Sequence, residues 1–572
     1  MATQAPSQSP PIPTSNLGAA LVRPEGFESS RPQQGAWKSV APWLGVGALT
    51  VAAALVFWLF DALPFQDLPA HAGLIAMRHR FANSPFEQHF FVLAPHLGPY
   101  SLFRSLGDVL VVPFGPLGAI RVIATLPLVV TPYVLLWARR RLHGDRSTTA
   151  AYFGLALGFG FMTLLGFASY LLGVAVFIIA LTVWLELMVA ADEVAPSPLP
   201  PASTLKHEIA IAVLAPCVFL AHGHAFVIFL GLAGVCALAT GNRPRRVLRT
   251  RALVPALALA AWVAWRERAS VVPSGSVPVP HAALAPHFQG AYDKLSLLIT
   301  PTLITRTGID AALGIFVWAV ILLGVIATAR SLREPAPPAI SAVTRGDGAS
   351  RSHSQALLVS LAVLAAAFLI LPHSIGWFGF VDGRLVPLLL LLGLLAIRRQ
   401  ALGRVLGAAF DRGAPVVACG MVVIALAASM LFQAEASGWH EVLDTVPANA
   451  RLLNLPIDPN SAVFTAHPFV HYDKLVLTTR PGVVSDVWFH QGSGIYPTVD
   501  NPALHLPDTY SESDLRVVDW PAYRLSDWDY VLIRTRPAAA EPRVPAELSL
   551  SIHRGGWWLY RHDPLASAAP RP

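Results

Sequence analysis

The sequence predicts an α-helical polytopic membrane protein that ends in a small soluble α/β domain. Apolar runs close to the ~20 residues needed to cross a bilayer recur between residues 41 and 432. Only 13 % of the 572 residues are charged, whereas soluble proteins carry about a quarter. Beyond Phe432 charged residues become more frequent and apolar runs shorten, which marks the start of the soluble domain.

Composition divides the chain into three predicted regions. Residues 1–40 form a cytoplasmic tail rich in Pro, Gln and Ser, a composition typical of disorder. Residues 41–432 form the membrane domain, and residues 433–572 form the C-terminal α/β domain. Strands are expected in that domain where short apolar runs alternate with Pro-, Asp- and Gly-rich turns. These runs lie at 462–465, 474–478, 529–535 and 556–560.

About eleven membrane spans account for the apolar runs. Cytoplasmic loops carry an excess of Lys and Arg, so the arginine clusters at 139–146, 243–251, 330–351 and 398–412 are assigned to the cytoplasm. The first run has no small-residue cleavage site after it, so we expect an uncleaved anchor with a cytoplasmic N-terminus. An odd number of spans places the C-terminal domain outside. The spans lie near 43–60, 117–138, 148–167, 169–190, 207–221, 225–240, 252–266, 309–329, 355–371, 384–397 and 414–432.

Several function classes find no support in the sequence. The formal net charge is +7, but the positive residues lie in short loops between spans, so they indicate topology and no nucleic-acid partner. The sequence lacks a P-loop, a dinucleotide fingerprint, a His-Glu-x-x-His motif and a Gly-x-Ser-x-Gly elbow. The lack of a nucleotide-sugar site suits an enzyme that faces outward and uses a lipid-carried donor.

The first outer loop, residues 61–116, carries the first candidate residues. Pro69 favours a helix start, which would place Asp67 at or beside the N-cap and His71 one turn later. Asp67 could take a proton from a hydroxyl nucleophile, with His71 orienting it or sharing a metal. Glu87 could complete an acid–base or metal pair with Asp67. Alternatively, Asp67 only caps an interfacial helix, His71 snorkels and Glu87 belongs to a solvated loop.

Two further outer connections carry the remaining candidates. His222 and His224 flank Gly223 at the turn of an apolar hairpin, and polar side chains at membrane level often mark function. Arg384 follows Asp382 at the outer end of a Leu-rich span, against the positive-inside trend. An arginine there can hold the phosphate or diphosphate of a lipid carrier with two parallel hydrogen bonds. Alternatively, Arg384 pairs with Asp382 or with a lipid headgroup.

This arrangement resembles the GT-C superfamily of polytopic membrane glycosyltransferases. The shared features are a first span, a long outer loop that opens with an acidic residue and contains interfacial helices, many further spans and a closing soluble domain. The segments 528–534 and 556–561 also resemble the tails of bacterial members. The resemblance implies sugar transfer from a polyprenyl-phosphate carrier to an acceptor hydroxyl, with Asp67 as base or metal ligand. Asp-Leu-Pro-Ala-His stands here in place of paired acidic residues, which leaves a divalent metal cofactor open.

The expected partners are membrane lipid, a lipid-linked sugar donor and a glycan, lipid or protein acceptor. Composition indicates a bacterial inner-membrane protein with a periplasmic C-terminal domain. The alternative is a non-enzymatic transporter or assembly partner for lipid-linked glycans. A transporter would show interrupted spans in matching halves, and Pro127, Pro132, Pro216 and Pro255 follow no such pattern. The candidate polar residues gather at one surface, which favours the enzyme.

Overall fold

The computed structural model describes eleven stretches of the chain. The predicted tail lies outside the described residues as far as residue 33. The described residues up to Leu44 belong to one unit, and those from Gly45 onward belong to a second, compact unit. The described residues are 34–94, 97–193, 202–239, 243–269, 275–277, 285–334, 343–376, 378–486, 493–513, 515 and 517–563.

Helices dominate the described part of the chain. They are α1 (Gln34–Leu55), α2 (Leu68–Arg80), α3 (Pro85–Phe90), α4 (Ser101–His143), α5 (Thr149–Leu157), α6 (Phe161–Leu164), α7 (Ala168–Glu193), α8 (Ala202–Ala221), α9 (Gly223–Ala239), α10 (Arg243–Arg249), α11 (Val254–Ala269), α12 (Ala291–Ser296), α13 (Ile309–Arg333), α14 (Val343–Ile370), α15 (Leu385–Ala396), α16 (Gly403–Glu435) and α17 (Trp439–Asp444). The strands are β1 (Phe91–Leu93), β2 (Pro286–His287), β3 (Ser374–Ile375), β4 (Ala450–Pro456), β5 (Gly482–Val484), β6 (Ile495–Pro497), β7 (Tyr530–Arg534), β8 (Leu548–Arg554) and β9 (Trp557–His562).

The protein is a multi-pass membrane protein, as predicted. Within the described residues seven helical stretches are long and apolar enough to cross a bilayer: α4, α7, α8, α10 with α11, α13, α14 and α16. The apolar parts of α1, α9 and α15 are shorter.

The predicted span near 148–167 is not a continuous helix. It consists of α5 and α6, separated by Gly158 and by Gly160, whose backbone is extended. A Cβ atom at Gly160 would lie 2.7 Å from the carbonyl oxygen of Pro301, and the Phe161 amide donates to the Thr300 carbonyl at 2.9 Å. The break therefore allows an outer connection to dock against this segment.

Helix α4 joins two elements that the sequence presents separately, an interfacial stretch and a span. Its backbone breaks at Gly115 (φ 67°, ψ 174°), between Pro113 and Pro116. A positive φ suits glycine, and prolines on both sides remove the backbone donors that would continue the helix. The start of α4 thereby turns away from its membrane portion.

The C-terminal region builds a five-stranded mixed sheet with the order β5-β4-β7-β9-β8. Strand β4 lies parallel to β5 and β7, while β9 is antiparallel to β7 and β8. The predicted strands at 529–535 and 556–560 correspond to β7 and β9. The first two strands of this sheet in chain order, β4 and β5, were not among the sequence predictions.

The predicted strands at 462–465 and 474–478 are wrong. Residues 474–478 belong to the 3-10 helix Pro468–Thr478. This helix is buried from Pro468 to Leu477, and a short apolar run buried on all sides cannot be assigned to helix or strand by periodicity alone. Residues 462–465 are irregular, with one isolated bridge from Phe464 to Thr305.

The first outer loop and the C-terminal region are packed together. Strand β1 pairs with β6, and α2 packs along the 3-10 helix Pro468–Thr478. A Cβ atom at Gly73 in α2 would lie 2.9 Å from the carbonyl oxygen of Lys474. Tyr472 donates a hydrogen bond of 2.9 Å to the carbonyl of Leu63. These contacts place the start of α2 directly against the C-terminal region.

Candidate active site

A cavity of about 280 Å³ lies where several outer connections meet the C-terminal region. The beginnings of α2 and α4 form one side. The turn between α8 and α9 and the connection before α15 form another, and the 3-10 helix Pro468–Thr478 closes it. Its polar side chains include Asp67, His71, Arg78, Tyr100, Arg104, Tyr170, His222, Arg384 and His471. Four of the predicted site residues therefore line one cavity.

Asp67 is the N-cap residue of α2, with Pro69 in the first turn, as predicted. Its side chain makes no capping hydrogen bond, so the carboxylate does not bind the backbone amides at the start of the helix. The amide of Asp67 donates to the carbonyl of Leu165 at 3.2 Å, and that of Gln66 donates to Leu164 at 2.9 Å. These backbone bonds fix the position from which the carboxylate enters the cavity.

Gly166 packs against the backbone of Asp67. Its φ of +79° suits glycine, and a Cβ atom there would lie 2.9 Å from the amide nitrogens of Asp67 and Leu68. The same atom would lie 3.0 Å from the Cβ of Asp67. The position is therefore restricted to glycine by both its conformation and its contacts.

The environment of Asp67 is suited to proton transfer. Its side chain is 16 % exposed. Burial raises the pKa of this carboxyl from its ordinary 3.8 to about 6, against the opposing effect of the positive charges of His471 and Arg384. An acid with a pKa close to the working pH can act as a general base once ionised.

His71 lies one turn along α2 and also lines the cavity. Its ring packs against Phe103 with centroids 4.6 Å apart. Burial, followed by the positive charge of His471, lowers the pKa of His71 to about 3. The imidazole is therefore neutral at neutral pH and can orient a polar group without adding charge.

Arg384 lies between two aromatic rings. Its guanidinium carbon is 4.0 Å from the Phe378 ring centroid and 4.6 Å from that of Phe167. The residue is 6 % exposed, and its Nε and Nη1 atoms have no hydrogen-bond partner in the described part of the protein. Because Arg384 also lines the cavity, an anion bound there can accept hydrogen bonds from these atoms.

The histidines of the α8–α9 turn lie beside Arg384. His222 is buried and lines the cavity, with its ring packed edge-on against Tyr100 and Tyr170 at centroid distances of 5.1 and 5.4 Å. His224 lies behind it, 6.3 Å from the His222 ring and 6.0 Å from Phe378. The histidine pair thus supports the aromatic wall around Arg384.

Backbone strain is concentrated at this wall. Tyr100 and Phe380 both adopt positive φ angles, 71° and 56°, and both line the cavity. The left-handed region is unfavourable for bulky residues, and such strain clusters at functional sites. The packing around the cavity therefore maintains two conformations that the local sequence disfavours.

Glu87 does not join Asp67, which corrects the predicted pair. Its side chain is fully buried, and both of its oxygens accept hydrogen bonds from Arg80, including 3.0 Å from Nε to Oε2. Arg80 also donates to the carbonyl of Leu477. Glu87 therefore secures the end of α2 against the C-terminal region.

Asp382 does not line the cavity either, and it does not pair with Arg384. Its carboxylate is fully buried, 2.9 Å from Nδ1 of His373 and 3.4 Å from Nζ of Lys294. It also accepts a hydrogen bond of 2.7 Å from the Gly383 amide. Asp382 joins two outer connections, and its predicted role in substrate binding is replaced by a structural one.

His471 is one of the cavity residues that sequence reasoning missed. It lies far along the chain from Asp67, in the segment that the sequence suggested as a strand-rich domain. One signal was present: His471, Asp473 and Lys474 interrupt an otherwise apolar run. Ionisable residues within such a run mark a buried polar site.

No group of three or more His, Cys, Asp or Glu side chains is placed to hold a metal ion within the described ranges. Among the described residues, the donors around Asp67 thus do not form such a group.

Comparison with known proteins identifies the fold. Neither a protein-family model nor a curated protein sequence matches the chain. The apo structure of ArnT from Cupriavidus metallidurans is similar, with a TM-score of 0.53, 14 % identity and coverage of 93 % of this chain and 100 % of ArnT. The structure of the same ArnT bound to undecaprenyl phosphate has a TM-score of 0.51 and 14 % identity, with coverage of 94 % of this chain and 100 % of ArnT. ArnT is a GT-C glycosyltransferase.

The chain has the GT-C fold. A third similar structure is the apo oligosaccharyltransferase of Archaeoglobus fulgidus, with a TM-score of 0.48, 13 % identity and coverage of 87 % of this chain and 70 % of that one. The ArnT pair carries the assignment. The resemblance noted from the sequence is thereby confirmed for the GT-C fold, including the soluble C-terminal region.

Proposed function

We propose that this GT-C protein is a glycosyltransferase that moves a sugar from a polyprenyl-phosphate carrier to an acceptor hydroxyl. The observation that carries the proposal is that Asp67 and Arg384 face one cavity. A carboxylate able to accept a proton and a buried guanidinium with two nitrogens that make no hydrogen bond to the described residues are what such a transfer needs. The fold adds support, because ArnT with undecaprenyl phosphate bound shares it.

Arg384 would hold the phosphate of the carrier. When the bond between the sugar C1 and the phosphate oxygen breaks, negative charge grows on the phosphate, and two guanidinium N–H groups can stabilise it. Phe167 and Phe378 cover the faces of the guanidinium. This cover excludes water and strengthens the charge interaction. His222 and His224 keep this wall in place.

Asp67 would act as the base. Its carboxylate removes the proton of the acceptor hydroxyl as that oxygen bonds to the sugar C1, opposite the departing phosphate. The proton ends on Asp67, the sugar on the acceptor and the electron pair on the carrier phosphate, so the sugar configuration inverts. Neutral His71 is placed to orient the acceptor, one turn from Asp67.

The site is proposed to face the periplasm of a bacterial inner membrane. Helix α4 begins beside the cavity at Tyr100 and ends at His143, whose Nδ1 and Nε2 contact Ser350 and the Leu395 carbonyl. The arginine-rich connections lie at that second end. The positive-inside rule then assigns the cavity and the C-terminal region to the outer side. Substrates are a lipid-linked sugar and a glycan, lipid or protein acceptor.

The test compares envelope glycolipids and polysaccharides by mass spectrometry in a deletion strain. The strain carries wild type, Asp67→Asn or Asp61→Asn at equal levels. Asp61 is an exposed carboxylate of the same loop that does not line the cavity. General-base catalysis contributes about 10²–10⁴-fold. We therefore expect the deletion strain to lack a sugar-sized mass in its glycans, and only wild type and Asp61→Asn to restore it. Equal rescue by all three would remove Asp67 from the chemistry and favour a non-enzymatic role in glycan transport or assembly.

A further inference from the structure

His471 approaches the cavity from the C-terminal region. Its Nε2 atom lies 3.7 Å from Oδ1 of Asp67, and its Nδ1 atom lies 3.0 Å from Oε2 of Glu512. The side chain is 7 % exposed. One imidazole therefore stands between two carboxylates, one on the first outer loop and one in the C-terminal region.

A buried network fixes the far carboxylate. Nζ of Lys474 bonds to Glu512 and lies 3.2 Å from Oδ2 of Asp473. Tyr510 donates to Glu512 at 3.1 Å, and Asn454 donates to Asp473 at 3.1 Å. Hydrogen bonds and ion pairs are electrostatically strong in a low-dielectric interior. Glu512 is therefore held in place independently of Asp67.

The same network keeps Glu512 ionised. Burial alone would raise the pKa of Glu512, but the charges of Lys474 and His471 lower it to about 2. The Glu512 carboxylate lies 3.0 Å from Nδ1 of His471, so a positive charge on this imidazole would be balanced from the C-terminal region. The Nε2 atom of the same ring lies on the side of Asp67, 3.7 Å from its Oδ1.

We propose that His471 is a positioning residue for Asp67: Glu512 holds its imidazole in place, and the imidazole stabilises the Asp67 carboxylate and keeps it aimed into the cavity. The inference rests on the proposed function, in which Asp67 is the base. It means that the C-terminal region supplies part of the active site. The outer loop and membrane helices alone would leave Asp67 with Arg384 as its main counter-charge.

The other groups around this pair determine the pH response. Asp67 is faced by His471 from the 3-10 helix, Arg384 from the connection before α15 and Glu512 from its own loop, with Gln66 as hydrogen-bond donor. His471 is also faced by His71 on α2 and by Asp473 beside it. Arg384 does not titrate near neutrality, and His71 is neutral there. Among the histidines near this pair, His471 is therefore the one whose positive charge acts on Asp67.

The test measures kcat/KM against pH for wild type, His471→Gln and Glu512→Gln with a lipid-linked sugar donor. The acid limb of this profile reports the protonation of Asp67. Removing a positive charge at this distance should move the limb upward by about one pH unit, with activity recovering at higher pH. Glu512→Gln should move it the same way, because His471 loses its anion. His505→Gln is the matched control: His505 lies 3.0 Å from Asp527 with the same Nδ1 geometry, and its side chain is 37 % exposed. Its limb should stay at the wild-type position.

An unchanged limb in both variants, with activity lowered at every pH, would overturn the inference while leaving Asp67 as the base. A second readout needs no turnover. The carboxylic acid C=O band that Asp67→Asn removes is followed against pH by infrared difference spectroscopy. Its midpoint should rise in His471→Gln even if wild type transfers no sugar, so that failure of the proposed function is recorded separately. An unshifted midpoint would refute the role of His471.

Discussion

Replacing Gly166 with alanine tests how accurately the fold must hold Asp67. The substitution has two consequences that can be separated. It forces a left-handed conformation, φ +79°, on a residue with a Cβ, which costs about 1–2 kcal/mol. It also puts that Cβ 2.9 Å from the amides of Asp67 and Leu68. These two nitrogens belong to the backbone, so Asp67 must move by several tenths of an ångström.

The displacement should cost activity well beyond the loss of stability. A misplacement of about 1 Å in a reacting group can cost 10²-fold, so we expect kcat/KM of Gly166→Ala to fall by about tenfold. Gly308→Ala is the control. Gly308 has φ +70°, and a Cβ there meets nothing within 4 Å. It reproduces the backbone strain without the contact.

The assay pairs thermal unfolding with transfer kinetics for both variants. Both midpoints should fall by a similar amount, while only Gly166→Ala loses activity. Equal activity in the two variants would refute the idea that Gly166 positions Asp67. If the unfolding midpoint of Gly166→Ala fell much further than that of Gly308→Ala, the contact would be needed for stability and not for the position of Asp67.

The further predictions concern charged side chains. Since the pKa of Asp67 is raised from 3.8 to about 6, kcat/KM should fall below about pH 6. Ionising this acid costs the folded state up to about 3 kcal/mol as the pH rises through these values, so Asp67→Asn should be at least as stable as wild type at neutral pH in thermal unfolding. Arg384→Lys should lose at least about tenfold in transfer, because lysine cannot form the two parallel bonds. Arg534→Lys should reduce stability and leave transfer unchanged.

The sequence located Asp67, His71 and Arg384 because each leaves a local signal. Pro69 announces the start of α2, and an arginine at the outer end of a span departs from the expected charge distribution. These signals depend on neighbours in the chain and on the membrane, both of which a sequence displays. The multi-pass membrane architecture follows from the apolar runs that the sequence also displays.

Glu87, Asp382 and His471 were misjudged or missed because their roles depend on partners brought by folding. Asp382 is bound by Lys294 and His373 from different connections, and an acidic residue next to an arginine gives no hint of that. His471 meets Asp67 only through the packing of α2 on the 3-10 helix. The strand predicted at 474–478 failed for a related reason, since burial on every side removes the periodicity that distinguishes the two structures.

Arg534 shows which property of Arg384 bears on function. Its guanidinium also lies between aromatic rings, 4.3 Å from Phe469 and 4.8 Å from Trp557, and its Nε and Nη1 also lack partners among the residues described. Neither the aromatic contact nor the unpaired atoms therefore identify an anion site. Arg534 does not line the cavity, whereas Arg384 opens into it beside Asp67. The cavity gives a ligand access to the guanidinium of Arg384. For that reason Arg384→Lys should reduce transfer, whereas Arg534→Lys should reduce stability.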